Sequence, residues 1–301
     1  MLRRLFPVPL RRLLRSWLDK PAVKRARRLA MRPIPKDRPS HGLDGELIVS
    51  LTSYPARFPQ LHLTLRSLLH QSIRPDRLIL WIAEEDRGQL TPETRALEKD
   101  GLEIATCPDL RSFKKLVPSL ARFPNAYVVT ADDDLYYRSD WLSTLVDEVE
   151  PGERVVMCHR AHRLINDAAG LVRPYRERQS DVHDQAARTN SHDLVATTGA
   201  GALFPPASLH PVVLDQEKFL RICPHGDDLW FAWCAALAGT PVRKVGARFR
   251  VLNWPGTTDD SLWSQNEAGG NDRMIEALQQ EFGPGWPPSP LPVTKSDVPI
   301  A

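Results

Sequence analysis

The sequence predicts an α/β protein built on a mostly parallel central sheet flanked by helices. Two observations carry this. Apolar, strand-like runs between residues 46 and 130 alternate with stretches of helical spacing, which is the pattern of successive βαβ units. The last of these runs, Ala126-Tyr127-Val128-Val129-Thr130, is followed by three consecutive carboxylates, Asp132, Asp133 and Asp134. Strand ends are where open α/β sheets bind ligands.

Each element follows from its local pattern. Residues 10–18 place Leu10, Leu13, Leu14, Trp17 and Leu18 on one helical stripe, with Arg11, Arg12 and Arg15 off it. A basic amphipathic helix of this kind suits an anionic membrane surface, or packs its stripe on the protein body or a partner. Pro33 to Gly45 reads as a linker. Glu46–Leu51 is a first strand, broken by Thr52-Ser53-Tyr54-Pro55. Leu61, Leu65, Leu68 and Leu69 mark a helix, and Arg77–Ile82 a second strand that ends at Glu84, Glu85 and Asp86. A helix through Thr94–Lys99 leads to a third strand, Leu102–Ala105. Ser112–Leu120 is helical, Tyr127–Thr130 is the fourth strand, and a helix over Ser139–Glu148 takes Ser139 as its cap. Beyond residue 150 the alternation weakens. Val155–Cys158 reads as a strand, 173–193 as loop and 196–206 as a tight turn region. Asp227–Ala238 is a helix stopped by Gly239, and Arg248–Leu252 a strand that closes the sheet.

Composition bounds the function. The 301 residues, 42% hydrophobic and 26% charged, are those of an ordinary globular protein with a substantial core. Residues 1–38 carry 13 Lys/Arg against 2 Asp/Glu, and the rest carries 27 against 35. An acidic body argues against nucleic-acid binding. The stretches near Met1 are too short and arginine-interrupted for a secretory signal. The four cysteines have no metal or disulfide spacing, so reduced thiols in a cytosolic setting are expected. The organisation expected is a basic amphipathic extension and linker over 1–45, a main domain over 46–282, and a proline-rich tail over 283–301.

The triple aspartate carries the chemistry. Three adjacent carboxylates repel one another, and a divalent cation with a preference for hard oxygen ligands, Mg2+ or Mn2+, relieves that repulsion. A metal there is placed to hold a substrate phosphate.

The chain resembles GT-A glycosyltransferases, similar to the inverting family 2-like enzymes and to those of bacterial cell-surface polysaccharide synthesis. The matching segments are IVSLTSYPAR (48–57), PDRLILWIAEED (75–86), DLRSFKKLVPSL (109–120), VVTADDDLYY (128–137), CHRAHR (158–163), TTGAGALFPP (197–206), CPHGDDLWF (223–231) and LWSQNEAGGND (262–272). They span roughly 46–282. The resemblance implies a GT-A, Rossmann-like fold and metal-dependent transfer from a nucleotide-sugar donor, UDP-sugar favoured, to a glycan or lipid-linked acceptor. It also implies inversion of configuration; with the basic amphipathic helix, a cytoplasmic protein peripheral at the inner face of the cell membrane is expected. It assigns the ribose to Asp132 and the metal to Asp134, with Asp132 nearby; Asp133 is ambiguous, because a triple Asp permits two registers. Asp228, with Asp227 second, becomes the base, although both also suit a helix cap.

Around the donor, Tyr54 can stack on the base and Arg57 reach a phosphate, with Thr52 and Ser53 beside them. Glu84 or Glu85 can accept from base or ribose, or be surface charge, and one of Arg111, Lys114 and Lys115 can contact the diphosphate. Gly199 and Gly201 allow close approach of backbone to sugar. His159 and His162 are expected to be structural rather than ligands. Trp230, Trp233, Trp254 and Trp263 are expected in the core, with sugar stacking as the other use. Competing functions are a nucleotidyltransferase, whose glycine- and lysine-rich first loop is absent from Leu51–Arg57, a non-catalytic carbohydrate-binding protein, and an Asp-nucleophile phosphatase.

Overall fold

Six apolar or small residues, LIVSLT, make β1 (Leu47–Thr52), which is buried on both faces. Such a strand belongs at the centre of a covered parallel sheet. The computed structural model, which describes residues 8–257 and 269–293 with side chains from Asp19 onward, places it there. Its neighbours are β2 (Arg77–Ala83) on one side and β4 (Tyr127–Ala131) on the other, both parallel to it, with β3 (Leu102–Cys107) outside β2. The chain therefore winds outward through β1, β2 and β3 and returns to the far side of β1 as β4. That reversal is a topological switch point, and it opens a crevice beyond Thr52 and Ala131.

The sheet continues differently from the sequence expectation. The full order is β3-β2-β1-β4-β8-β5-β9. Strand β8 (Ala202–Phe204), read as turn from its glycines and prolines, pairs antiparallel with both β4 and β5 (Val156–Cys158). The closing strand is β9 (Val242–Lys244), parallel to β5. Arg248–Leu252 is not a strand, although Phe249 and Val251 alternate with arginines as in one. These two pack on the core, and the segment runs under the acidic loop instead, where Leu252 O accepts from Tyr136 N. The polar stretch read as loop is largely irregular, but it is flanked by a small second sheet, β6 (Ala161–Arg163) with β7 (Leu194–Ala196).

The helices complete the layers. Helix α1 (Val8–Ala30) includes the predicted 10–18 segment, though the side chains of its stripe lie outside the described residues. Its second half packs Ala26 and Ala30 against Leu63, Leu252 and Trp254. Helix α2 (Phe58–Leu69) sets Leu61, Leu65 and Leu68 on the face of the sheet lined by Val49 and Leu51. The predicted third helix is short, α3 (Pro92–Arg95) and a 3-10 turn through Asp100. The next is also divided, a 3-10 turn over Arg111–Lys115 and then α4 (Val117–Arg122). Helix α5 (Trp141–Val146) is shorter than predicted, and Asp140 rather than Ser139 stands at its N-cap without a side-chain bond. Helix α6 (Gln216–Ile222) is capped by Asp215. Helix α7 (Asp227–Leu237) is apolar nearly all round, as a fully buried helix must be. Helix α8 (Asn271–Phe282) packs against α6 and α7. Phe113 and Phe219 stack at 4.2 Å in this second core.

Candidate active site

The crevice at the switch point gathers residues from six stretches of chain. Strand β4 ends at Ala131, and the three aspartates that follow turn in different directions. Asp133 turns to the end of β1, where Ser53 Oγ donates to it at 2.5 Å. Burial, then the neighbouring Asp134 charge, push its pKa up to about 7. Asp134 takes Arg57 Nη1 at 2.8 Å and Asn253 Nδ2 at 3.2 Å. Burial and Asp132 raise its pKa, against the pull of Arg57. Its backbone carbonyl accepts from Trp254 N, so the residues that follow Arg248–Leu252 anchor this acid. The Asp132 carboxylate is more than a third exposed and faces Lys115 Nζ at 2.5 Å.

Lys115 joins the acid loop to the second acid pair. Its ammonium lies 2.9 Å from Asp227 Oδ2, in an ion pair not aligned for a hydrogen bond, and its side chain is 7% exposed. Burial works against its charge, but Asp132, Asp227 and Asp228 outweigh burial and hold the pKa well above the usual lysine value. Asp227 and Asp228 open α7 without capping it, since neither is the N-cap residue and Gly226 makes no side-chain bond. Asp228 instead receives two bonds on one oxygen: Thr198 N at 2.9 Å and Thr198 Oγ1 at 2.5 Å both donate to Oδ1. Burial first, and then Asp227, push its pKa up to about 6, although Lys115 and Thr198 oppose the shift.

A buried tyrosine ties the loops together. The backbone N–H of Asp132 donates to Tyr137 Oη at 2.7 Å, and that hydroxyl donates to Gly199 O at 2.6 Å. Gly199 is needed because of Asp132: a Cβ there would fall 1.8 Å from Asp132 Oδ2. Gly201 adopts φ +112, and a Cβ would fall 2.4 Å from Trp141 Nε1. Both glycines thus permit close approach, but to the protein's own side chains.

The other candidates divide. Tyr54 is 40% exposed at the crevice and takes Arg57 Nε on its hydroxyl. The Thr52 hydroxyl is turned away, donating to Trp81 O. Glu84 is exposed beyond β2 and bonds to none of the other candidates among the described residues. Lys114 pairs with Asp109, not with the acid loop. Arg111, strained at φ 55, donates to Pro224 O three residues before Asp227. His159 and His162 are buried and structural: His159 Nε2 bonds Trp141 O, and His162 Nδ1 accepts from Asp181 N. Trp230, Trp233 and Trp254 are buried core, and Trp263 lies outside the described residues. The four cysteines are buried free thiols. Sequence reasoning missed Tyr137, Thr198 and Asn253. The first two sit in quoted segments but carry no charge pattern, and Asn253 had no local signal.

Comparison with known proteins bears on the fold. No protein-family model matches the chain, and no curated protein matches it in sequence. Solved structures do match. A mannosyltransferase, PcManGT from Pyrobaculum calidifontis, solved with GDP-Man and Mn2+, is 14% identical at a TM-score of 0.52, over 86% of this chain and 71% of that one. The chain has a GT-A fold. More distant matches are glucosyl-3-phosphoglycerate synthase from Mycobacterium tuberculosis (12% identity, TM-score 0.41, 80% of this chain and 81% of that one) and a CMP:2-keto-3-deoxy-manno-octonic acid synthetase (10%, 0.40, 74% and 98%). At 14% identity the likeness to PcManGT is one of fold alone. Among the described residues no helix is long and apolar enough to cross a membrane.

Proposed function

We propose that this protein is an inverting glycosyltransferase that moves a sugar from a nucleotide-sugar donor to a glycan or lipid-linked acceptor. One observation carries the reading: Lys115 pairs with Asp132 of the acid loop and with Asp227 beside the half-buried Asp228. Donor-binding and proton-accepting carboxylates, far apart in sequence, thus share one crevice.

The acids fit a divalent cation by charge and by atom type. Five carboxylates, Asp132, Asp133, Asp134, Asp227 and Asp228, face two cations, Lys115 and Arg57. Burial first, and then the neighbouring carboxylates, raise the pKa values of Asp133, Asp134 and Asp228. Among the described residues no three ligating side chains converge on one point. Asp134 and Asp132 would therefore hold Mn2+ or Mg2+, with donor phosphate and water as the other ligands. Bound there, the ion would offset the charge of the nucleoside diphosphate leaving group.

The chain's own residues supply the rest. Ser53 and Tyr54 line the donor side of the crevice, and Arg57 holds Asp134 in place. Both Thr198 bonds fall on Asp228 Oδ1, which orients Oδ2 to take a proton from an acceptor hydroxyl. A carboxylate with its pKa near 6 is still ionised at neutral pH, yet is a better base than an ordinary aspartate. Burial, which raises that pKa, also excludes the water that would compete for the donor. The exposed Lys24, Arg25 and Arg28 of α1 suit a peripheral position on an anionic membrane, consistent with an acceptor of the cell surface.

The test is a screen of UDP- and GDP-sugars with and without Mn2+, reading transfer and anomeric configuration by proton NMR. The expected result is Mn2+-dependent turnover with inversion, lowered at least about a hundredfold in Asp228→Asn with donor affinity kept. Retention of configuration, or normal turnover by Asp228→Asn, removes Asp228 from the role. Incorporation of the nucleotide itself into product would favour nucleotidyl transfer.

A further inference from the structure

Asp228 stands between two cations. Lys115 acts on it from the Asp132 side. The other is Arg160, which precedes β6; its carbonyl accepts from Thr197 N at 2.9 Å, next to the Thr198 that holds Asp228. Arg160 is largely buried, with its side chain 28% exposed. Among the described residues its guanidinium has one ion-pair contact, Nε to Asp181 Oδ1 at 3.8 Å, beyond hydrogen-bond distance. Asp181 is already engaged: Arg248 Nε and Nη2 each approach its Oδ2 at 2.9 Å, and His183 Nε2 lies 3.3 Å from Oδ1. Arg178 packs its guanidinium 3.9 Å over the Tyr175 ring, with Nη1 donating to Tyr175 O. Asp181, at φ 53, thus pairs with Arg248 and His183 and gives Arg160 its loosest contact.

A basic cluster beside an acidic crevice has a consequence for the acceptor. Five carboxylates would repel an anionic acceptor, while a neutral one would have no use for a desolvated guanidinium. Burial first lowers the Arg160 pKa; Asp181 and then Asp228 oppose that and Arg178 adds to it, while the ion-pair contact among the described residues stays at 3.8 Å. An arginine fork matches two oxygens of a carboxylate or phosphate, and such pairs fix orientation as well as affinity.

We propose that Arg160, flanked by Arg178 and Arg248, receives an anionic group of the acceptor, a carboxylate or a phosphate, and so sets the acceptor hydroxyl at Asp228. This deepens the transferase reading and rests on it. The test uses the full chain and NMR titration with three probes, glucuronate, inorganic phosphate and glucose, on wild type, Arg160→Gln, Arg248→Gln and Arg57→Gln. At least one anion should bind about tenfold or more tighter than glucose, the low end for a charge-assisted hydrogen bond. Preference for glucuronate indicates an acidic sugar, and preference for phosphate a phosphorylated acceptor. Arg160→Gln should remove the preference, and Arg57→Gln, on the donor side, should keep it. Arg248 is 70% exposed, so Arg248→Gln keeps the fold and should weaken the anion severalfold. Glucose binding as tightly as both anions, an anion preference intact in Arg160→Gln, or one lost only in Arg57→Gln, overturns the proposal. Nucleotide-sugar binding on the same samples separates the two readings. Its absence with Arg160-dependent anion binding sinks the transferase and leaves the anion site.

Discussion

Lys115→Met tests the joint between the two acid groups. Methionine matches the length of the lysine but leaves Asp132, Asp227 and Asp228 without the ammonium at 2.5 Å and 2.9 Å. Breaking a buried pair by removing one partner costs about 3–5 kcal/mol. Asp132 is 39% exposed, so water screens its share, while Asp227 at 13% is screened much less. The expected loss at pH 7.5 is therefore about 3 kcal/mol, the low end of that range. The sign with pH follows from Asp228. Its folded pKa is already raised to about 6, against about 3.9 when unfolded, and loss of Lys115 raises it further. A carboxylate with a raised folded pKa binds protons in the folded state that the unfolded chain releases. Stability from such a group falls as pH rises from about 4 through its folded pKa. The deficit of the variant should accordingly shrink when pH drops from 7.5 to 5.5. Urea unfolding of both proteins at the two pH values measures this. A loss under about 1 kcal/mol at pH 7.5, or the same loss at both, would refute the view that Lys115 neutralises buried acids.

Three further outcomes follow. Gly199→Ala places a Cβ on the Asp132 carboxylate, so it should turn that group off Lys115 and lower turnover at least about tenfold, while the far-UV spectrum stays native; wild-type turnover would show that Asp132 needs no fixed position. His159 is 5% exposed, and burial lowers its pKa to about 4. The unfolded histidine, near 6.5, binds more protons between those values, so stability is full above pH 6.5 and declines by about 3 kcal/mol as pH falls to 4. His159→Gln should flatten that part of the stability profile, and an unchanged profile would count against the assignment. Removing residues 1–18 takes away the Leu10–Leu18 stripe but keeps the half of α1 that packs on Leu63 and Trp254; binding to anionic vesicles should weaken, with only the salt-sensitive attraction of Lys24, Arg25 and Arg28 left, and equal binding by both chains would assign the stripe elsewhere.

The sequence by itself determined the parallel half of the sheet. β1, β2 and β4 are short apolar runs of strand length bounded by polar residues or breakers, and burial on both faces demands that pattern; β3, at the sheet edge, is only half-buried. It also marked the acids, because charge at a strand end is visible without neighbours. The antiparallel β8 and the closing β9 were not legible. Three-residue strands carry no period, and their pairing depends on which sheet edge is open once β4 is in place. Phe249 and Val251 misled for the same reason, since alternation shows that side chains face a core but not whether the backbone joins a ladder. The aspartates illustrate the limit at the site. Sequence left Asp132, Asp133 and Asp134 in two registers. Only the tertiary structure turned Asp133 to Ser53, Asp134 to Arg57 and Asn253, and Asp132 to Lys115. Partners for these charges come from segments tens to more than a hundred residues away, and the direction of a carboxylate is set by where its counter-charges fold.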